Sequence, residues 1–156
     1  MSGDGLGLTN YLAHEKDASG ALLGPVAESS WLLVDPSGFG KLLVYLNKRY
    51  NPGEIAVTEN GVSAPGEDSK TPEEAVKDTF RVDFFKGYFA AAERAVREDN
   101  VPLKTYFVWS FMDNLEWAMG YKERFGITYV DYKSKDLTRT PKDSFKWLSR
   151  LYGNDV

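Results

Sequence analysis

Two stretches of this chain hold side chains able to do chemistry without a cofactor. In the first, Glu59 follows the apolar run Ile55-Ala56-Val57-Thr58 and precedes Asn60-Gly61, a pair suited to a tight turn. A carboxylate just past a buried strand projects into the cleft that strand ends share, where it can serve as nucleophile, base or ligand for hydroxyls. On spacing alone, a strand-end glutamate in a surface turn is the commoner explanation. The second stretch, Trp109-Ser110-Phe111-Met112-Asp113-Asn114-Leu115-Glu116-Trp117, combines two indoles, two carboxylates and an amide. Carboxylates accept paired hydroxyl donors and indole faces pack against C–H surfaces, so this set suits a polyhydroxylated ligand. An aromatic core with solvated acids is the competing explanation.

Composition removes several other chemistries. The chain has 156 residues and no cysteine, which excludes disulfides, thiolate nucleophiles and Cys-ligated zinc and leaves the redox compartment open. The single histidine, His14, sits in the polar run Ala13-His14-Glu15-Lys16-Asp17 and reads as a solvated surface residue, so neither a multi-histidine metal site nor a cofactor is expected. A net charge of -4, with 19 basic and 23 acidic residues interleaved, argues against a nucleic-acid partner. No apolar run is long enough to span a bilayer, and Met1-Ser2-Gly3-Asp4-Gly5 lacks the basic and apolar regions of a signal peptide. The expectation is a soluble chain, cytoplasmic by default, with no membrane partner.

The elements that must position Glu59 and the tryptophan-rich loop alternate along the chain. Residues 1 to about 34 are rich in glycine and read as irregular; Gly3, Gly5 and Gly7 have the spacing of a phosphate loop but neither a preceding strand nor a clear following helix. A helix starts at Asp35-Pro36, carries Phe39, Leu42, Leu43, Leu46 and Tyr50 on one face, and stops at Asn51-Pro52-Gly53. After the strand Ile55 to Thr58 and a loop through Ser69, the capping box Thr71-Pro72-Glu73-Glu74 opens a second helical region with Phe80, Phe84, Tyr88, Ala91 and Ala95 in phase. Leu103 to Trp109 reads as a strand, Ser110 to about Arg124 as a loop, and Phe125 to Tyr132 as extended. Thr140-Pro141-Lys142-Asp143 caps a last helix bearing Phe145, Leu148, Leu151 and Tyr152. Helix, strand, helix, strand, extended segment and helix in that order predict a parallel α/β architecture.

In this order the motifs resemble those of glycoside hydrolase family 1, the β-glucosidase family. Val57-Thr58-Glu59-Asn60-Gly61 resembles its nucleophile motif and Trp109 to Trp117 its sugar-binding loop. Arg124-Phe125-Gly126-Ile127-Thr128-Tyr129-Val130-Asp131-Tyr132 is similar to the segment after that loop, and Pro141-Lys142-Asp143-Ser144 to the start of its final helix. Ser29-Ser30-Trp31-Leu32 and Gly38-Phe39-Gly40-Lys41-Leu42-Leu43 resemble the lead-in to the nucleophile strand. The likeness covers residues 24 to 152.

The resemblance implies a (β/α)₈ barrel, of which this chain would be the C-terminal portion: the last two barrel strands with flanking helices. A closed barrel takes about 250 residues, so the expected fold is partial. Glu59 is implied as the catalytic nucleophile of a retaining β-glycosidase. Trp109, Glu116, Trp117 and Phe125 are implied as substrate-binding residues, Trp109 beneath the sugar ring, Glu116 on hydroxyls and Trp117 through its indole N–H. The family's acid/base glutamate lies in a Thr-x-Asn-Glu-Pro motif that this chain lacks, so the chain alone is expected to be inactive. Glu116 favours unphosphorylated glycosides, because a carboxylate repels a phosphate. The expected partners are a β-glucoside or related glycoside and, through open strand edges, an N-terminal barrel fragment or a second copy. The alternative is a non-catalytic sugar-binding or association module.

Overall fold

The computed structural model describes residues 15–153. Along them run α1 (Pro36–Tyr50), β1 (Ile55–Asn60), α2 (Pro72–Ala75), α3 (Thr79–Asp99), β2 (Leu103–Val108), β3 (Thr128–Val130), β4 (Arg139–Pro141) and α4 (Asp143–Leu151), with 3-10 turns at Glu67–Ser69 and Trp117–Met119. His14, Met1 and the glycines Gly3, Gly5 and Gly7 lie outside the described residues. Residues 15–34 form no helix or strand and carry isolated bridges between Lys16 and Leu22 and between Val26 and Leu33.

The first helix starts where an aspartate and a proline coincide. Asp35 accepts the Gly38 N–H at 2.8 Å, Pro36 occupies the first turn, and Asn51 ends the helix in the left-handed region at φ 44°, a conformation asparagine tolerates better than most residues. The chain then turns back into β1, which pairs in parallel with β2. Helices α1 and α3 cover one face of this pair, and Leu43, Val57, Ala92, Ala95 and Val101 form the apolar layer between them. A second cluster of Ala27, Val62, Phe84, Phe85, Tyr88, Ile127 and Leu148 ties the irregular lead-in, α3 and α4 together. The result is two parallel strands with helices to one side, the local geometry of a barrel wall.

Three expectations need correction. Asn60-Gly61 makes no tight turn: β1 continues through Asn60, whose carbonyl accepts the Trp109 N–H at 2.8 Å. The capping box at Thr71 is present but opens only the single turn α2, and α3 begins afresh at Thr79. The break has a cause: the Val76 carbonyl accepts the Asp143 N–H at 2.8 Å and the Asp78 carboxylate is turned onto Arg81 and Ser144. Finally, Thr140 and Pro141 belong to β4, which pairs antiparallel with β3, and the residue capping α4 is Lys142, without a side-chain cap bond.

Under the strand ends lies a buried ion network. Arg81 is fully buried and donates from Nη1 to Asp78 at 2.6 Å, from Nη2 to Glu67 at 2.6 Å and to the Arg124 carbonyl at 2.7 Å, and from Nε to the Val62 carbonyl at 3.1 Å. Lys142, also fully buried, bridges Glu67 and Asp113, the latter at 2.9 Å. Arg124 reaches Asp113 at 2.7 Å, and the Asp78 carboxylate accepts from both the N–H and the hydroxyl of Ser144. Three cations thus face three carboxylates. Burial and the neighbouring Arg81 guanidinium push the Lys142 ammonium below its ordinary range, while Glu67 and Asp113 hold it up. Removing one partner of such a pair strands the others in a medium that solvates them poorly. Lys142→Met is therefore expected to cost about 3–5 kcal/mol in urea unfolding, whereas Lys146→Met, whose pair with Asp143 is exposed, should cost under about 1 kcal/mol.

Candidate functional site

Pairing between β1 and β2 slips beside Glu59. Val57 faces Tyr106 and Asn60 faces Val108, so β1 spends one more residue than β2 over this interval. An extra residue bends a strand and re-aims its side chains; here Thr58 and Glu59, neighbours in sequence, are both exposed. Glycine at 61 permits the close approach of the strand ends that follows, because a Cβ there would lie 1.6 Å from the Trp109 carbonyl oxygen. Asn60 is held by the Tyr106 hydroxyl, which donates to its Oδ1, and burial raises that hydroxyl above the ordinary tyrosine range.

The loop after β2 is folded by its own polar groups. The Trp109–Ser110 peptide is cis. Ser110 donates to the Met112 carbonyl at 2.8 Å, and Asn114 donates to both the Ser110 hydroxyl and the Met112 carbonyl. Asp113 points inward, where it accepts the N–H groups of Gly126 and Val130 as well as Arg124 and Lys142. A Cβ on Gly126 would sit 2.1 Å from the Asp113 nitrogen, so only glycine fits against this turn. Farther along, Glu116 donates its N–H to the Gly120 carbonyl at 2.6 Å, and Trp117 takes a left-handed φ of 41° that turns its indole outward.

One cleft of about 360 Å³ collects the outcome. Glu59, Trp109, Glu116, Trp117 and Phe125 all line it, joined by Trp31, Leu32, Asn60 and Gly61. Trp31 and Trp117 are 74% and 88% exposed at its rims, Trp109 is less so at 38%, and Phe125 is buried at 7%. All five residues singled out in the sequence therefore meet. The other carboxylate and the amide of the tryptophan-rich loop do not join them: Asp113 is a structural anchor and Asn114 braces the loop. Trp31 was the residue missed; the Ser29-Ser30-Trp31-Leu32 motif contained it, but only as a lead-in. The carboxyl of Glu116 is raised above the ordinary glutamate range, first by partial burial and then by Glu123 beside it. Among the described residues no group of histidine, cysteine, aspartate or glutamate could hold a metal ion, and no helix is long and apolar enough to cross a membrane. What the cleft offers is two carboxylates, Glu59 and Glu116, together with indole faces, groups able to accept hydroxyl hydrogen bonds and to pack against C–H surfaces.

The chain belongs to glycosyl hydrolase family 1, whose model matches residues 9–155. It is 48% identical over 143 residues to Beta-glucosidase 4 of Oryza sativa subsp. japonica, a match spanning 91% of this chain and 29% of that protein. It is 49% identical to Beta-glucosidase 1B of Phanerodontia chrysosporium, over 85% of this chain and 24% of that one. Among solved structures it resembles a β-glucosidase from the fungus Humicola insolens in complex with glucose, with a TM-score of 0.87 and 43% identity over 94% of this chain and 30% of that one. It also resembles a rice β-glucosidase mutant in a covalent complex with Glc, with a TM-score of 0.80 and 37% identity over 85% of this chain and 27% of that one. The fold is thus part of the barrel of these β-glucosidases, and the chain spans under a third of the length of the relatives it matches.

The raised carboxyl of Glu116 has a measurable effect on stability. In the unfolded chain it ionises at the ordinary glutamate value, in the folded chain only at higher pH. Its contribution is therefore fully present below the unfolded value and lost as pH rises through the folded one. Unfolding free energy followed from pH 4 to 7 should show a downward component that Glu116→Gln removes.

Proposed function

We propose that this chain is the C-terminal portion of a retaining β-glycosidase that hydrolyses unphosphorylated β-glycosides, with its two parallel strands as the last two of the barrel. The observation that carries the reading is the convergence of Glu59, Trp109, Glu116, Trp117 and Phe125 on one cleft at the strand ends. The Glu59 carboxylate attacks the anomeric carbon: a C–O bond to Glu59 forms as the glycosidic C–O bond breaks, and the departing oxygen takes a proton from a second carboxylic acid. Water then hydrolyses the glycosyl-enzyme ester, with that second group acting as base. This acid/base belongs to the part of the barrel outside this chain. Trp109 supplies the surface beneath the ring, Glu116 accepts hydroxyl hydrogen bonds, and Trp117 donates its indole N–H. The names and titles of the relatives support the substrate class, and the covalent Glc complex of the rice protein supports a covalent route.

A companion reading, association with an N-terminal barrel segment, has its own observation. Beside the outer edge of β2 runs an apolar groove of about 430 Å³ lined by Tyr106, Phe107, Val108, Phe111, Phe145 and Tyr152, with Phe107 and Phe111 about 60% exposed. A strand and helix of complementary apolar face would cover it.

The purified chain alone is expected to show no turnover of aryl β-glucosides, and mixing with an N-terminal barrel fragment should restore it. In the restored enzyme Glu59→Gln should lose several orders of magnitude in rate without unfolding, and a fluoroglycoside should label a peptide containing Glu59. Label on another residue, or a loss within about tenfold, would remove Glu59 as nucleophile.

Glu116→Ala in the same restored enzyme should lower kcat/KM by about 1.5–3 kcal/mol for each charge-assisted bond to a sugar hydroxyl. The loss should shrink on the deoxy glycoside that lacks the contacted hydroxyl, since the two deletions remove one interaction. Equal losses on all substrates, together with a lowered Tm, would make Glu116 structural instead.

A further inference from the structure

Every carboxylate of the network beneath the strands is matched by a cation, but one buried carboxylate nearby is not. Glu123 is 8% exposed and takes part in no salt bridge among the described residues. What it has instead is a hydroxyl: Ser29 Oγ donates to Glu123 Oε2. Ser29 and Ser63 are themselves buried, at 2% and 0%. Their hydroxyl oxygens lie 3.0 Å apart, and Ser63 Oγ accepts the Ser29 N–H at 3.0 Å. A hydroxyl carries one proton. Ser29 commits its proton to Glu123, so Ser63 must donate to Ser29, giving a directed chain from Ser63 through Ser29 to Glu123.

This chain joins two pieces of backbone that are far apart in sequence. Ser29 sits two residues before Trp31, which forms one rim of the cleft, and Glu123 closes the loop that carries Glu116 and Trp117 on the other. Among the described residues no other hydrogen bond runs between the lead-in and this loop. A buried carboxylate without a cation costs stability, which leaves its retention here to be explained by another task. We propose that Glu123 is a positioning residue of the cleft: it ties the Trp31 rim to the Glu116–Trp117 loop and sets the charge environment of Glu116. The proposal rests on reading the cleft as a sugar site, but its test needs neither sugar nor turnover.

The groups around Glu116 make Glu123 the one to change. Glu59 lines the same cleft from β1, Lys122 is exposed, and Arg124 is turned onto Asp113. Two variants of the full chain separate the tie from the charge. Ser29→Ala breaks the tie and keeps the carboxylate; the indole N–H signals of both Trp31 and Trp117 should shift in NMR spectra. Glu123→Gln keeps an acceptor for Ser29 and removes the charge. It should leave the melting temperature equal or higher and move the Glu116 titration midpoint, read from its side-chain carboxyl signal, to lower pH.

The proposal fails if Ser29→Ala shifts Trp31 alone, or if Glu123→Gln leaves the Glu116 midpoint in place. Should Ser29→Ala not fold, Glu123→Ala breaks the same tie and must shift both indoles. Unfolding of both would assign the cluster a purely structural role and overturn the proposal. Fluoroglycoside labelling away from Glu59 would instead count against the glycosidase reading and leave these spectral results standing.

Discussion

The pairing of Arg81 and Lys142 with Glu67, Asp78 and Asp113 is the constraint around which the other parts are arranged. Apart from Asp78 and Arg81, three residues apart at the head of α3, these side chains come from different segments, and the bonds span separations of up to 75 residues. Buried charges of this kind contribute little net stability compared with apolar side chains, because desolvation cancels most of their attraction. They do penalise any arrangement that separates them. The tryptophan-rich loop can fold back on itself because Asp113 is fixed from beneath by Arg124 and Lys142, and α4 docks where it does because Ser144 and Asp143 meet Asp78 and Val76. The break between α2 and α3, costly for a helix in isolation, is the price of making Asp78 and the Val76 carbonyl available.

From that foundation the cleft is built upward by backbone geometry more than by side-chain contacts. One extra residue in β1 aims Glu59 into solvent, a glycine lets the ends of β1 and β2 nearly touch, and a left-handed Trp117 turns an indole out over the gap. None of these conformations is favourable alone. They persist because the segments on either side are held by the apolar clusters and the ion network. A cleft made this way presents its carboxylates and indoles at set positions before any ligand arrives, which lowers the ordering cost of binding.

Much of this was legible in the sequence. The two long helices and both parallel strands followed from periodicity and caps, since those signals are local: Asp35-Pro36 starts a helix wherever it occurs, and a run such as Ile55 to Thr58 is a strand in most settings; the five cleft residues came instead from the resemblance to a known family. The failures share a cause. Asn60-Gly61 has the composition of a turn, yet pairing with Trp109 overrides it; Thr71 heads a capping box, yet the helix stops after a turn because Asp143 claims a carbonyl; and Thr140-Pro141, taken for a cap, is the edge of a short antiparallel ladder. In each case a partner distant in sequence outcompetes the local preference. Asp113 is the instructive case within the site. Its position among tryptophans suggested a sugar ligand, and nothing nearby in sequence announces that Lys142 and Arg124 will draw it inward.

The ion network also closes on itself, since its three carboxylates and three cations all lie within this one stretch of chain. Its charge balance is internal, because each carboxylate of the set meets a cation of the same set. A change of charge at one of the six positions would leave a buried partner unmatched unless another of the six changed with it. These positions are therefore expected to vary together or not at all in the course of divergence, whereas the exposed pairs such as Lys146 with Asp143 can change one at a time.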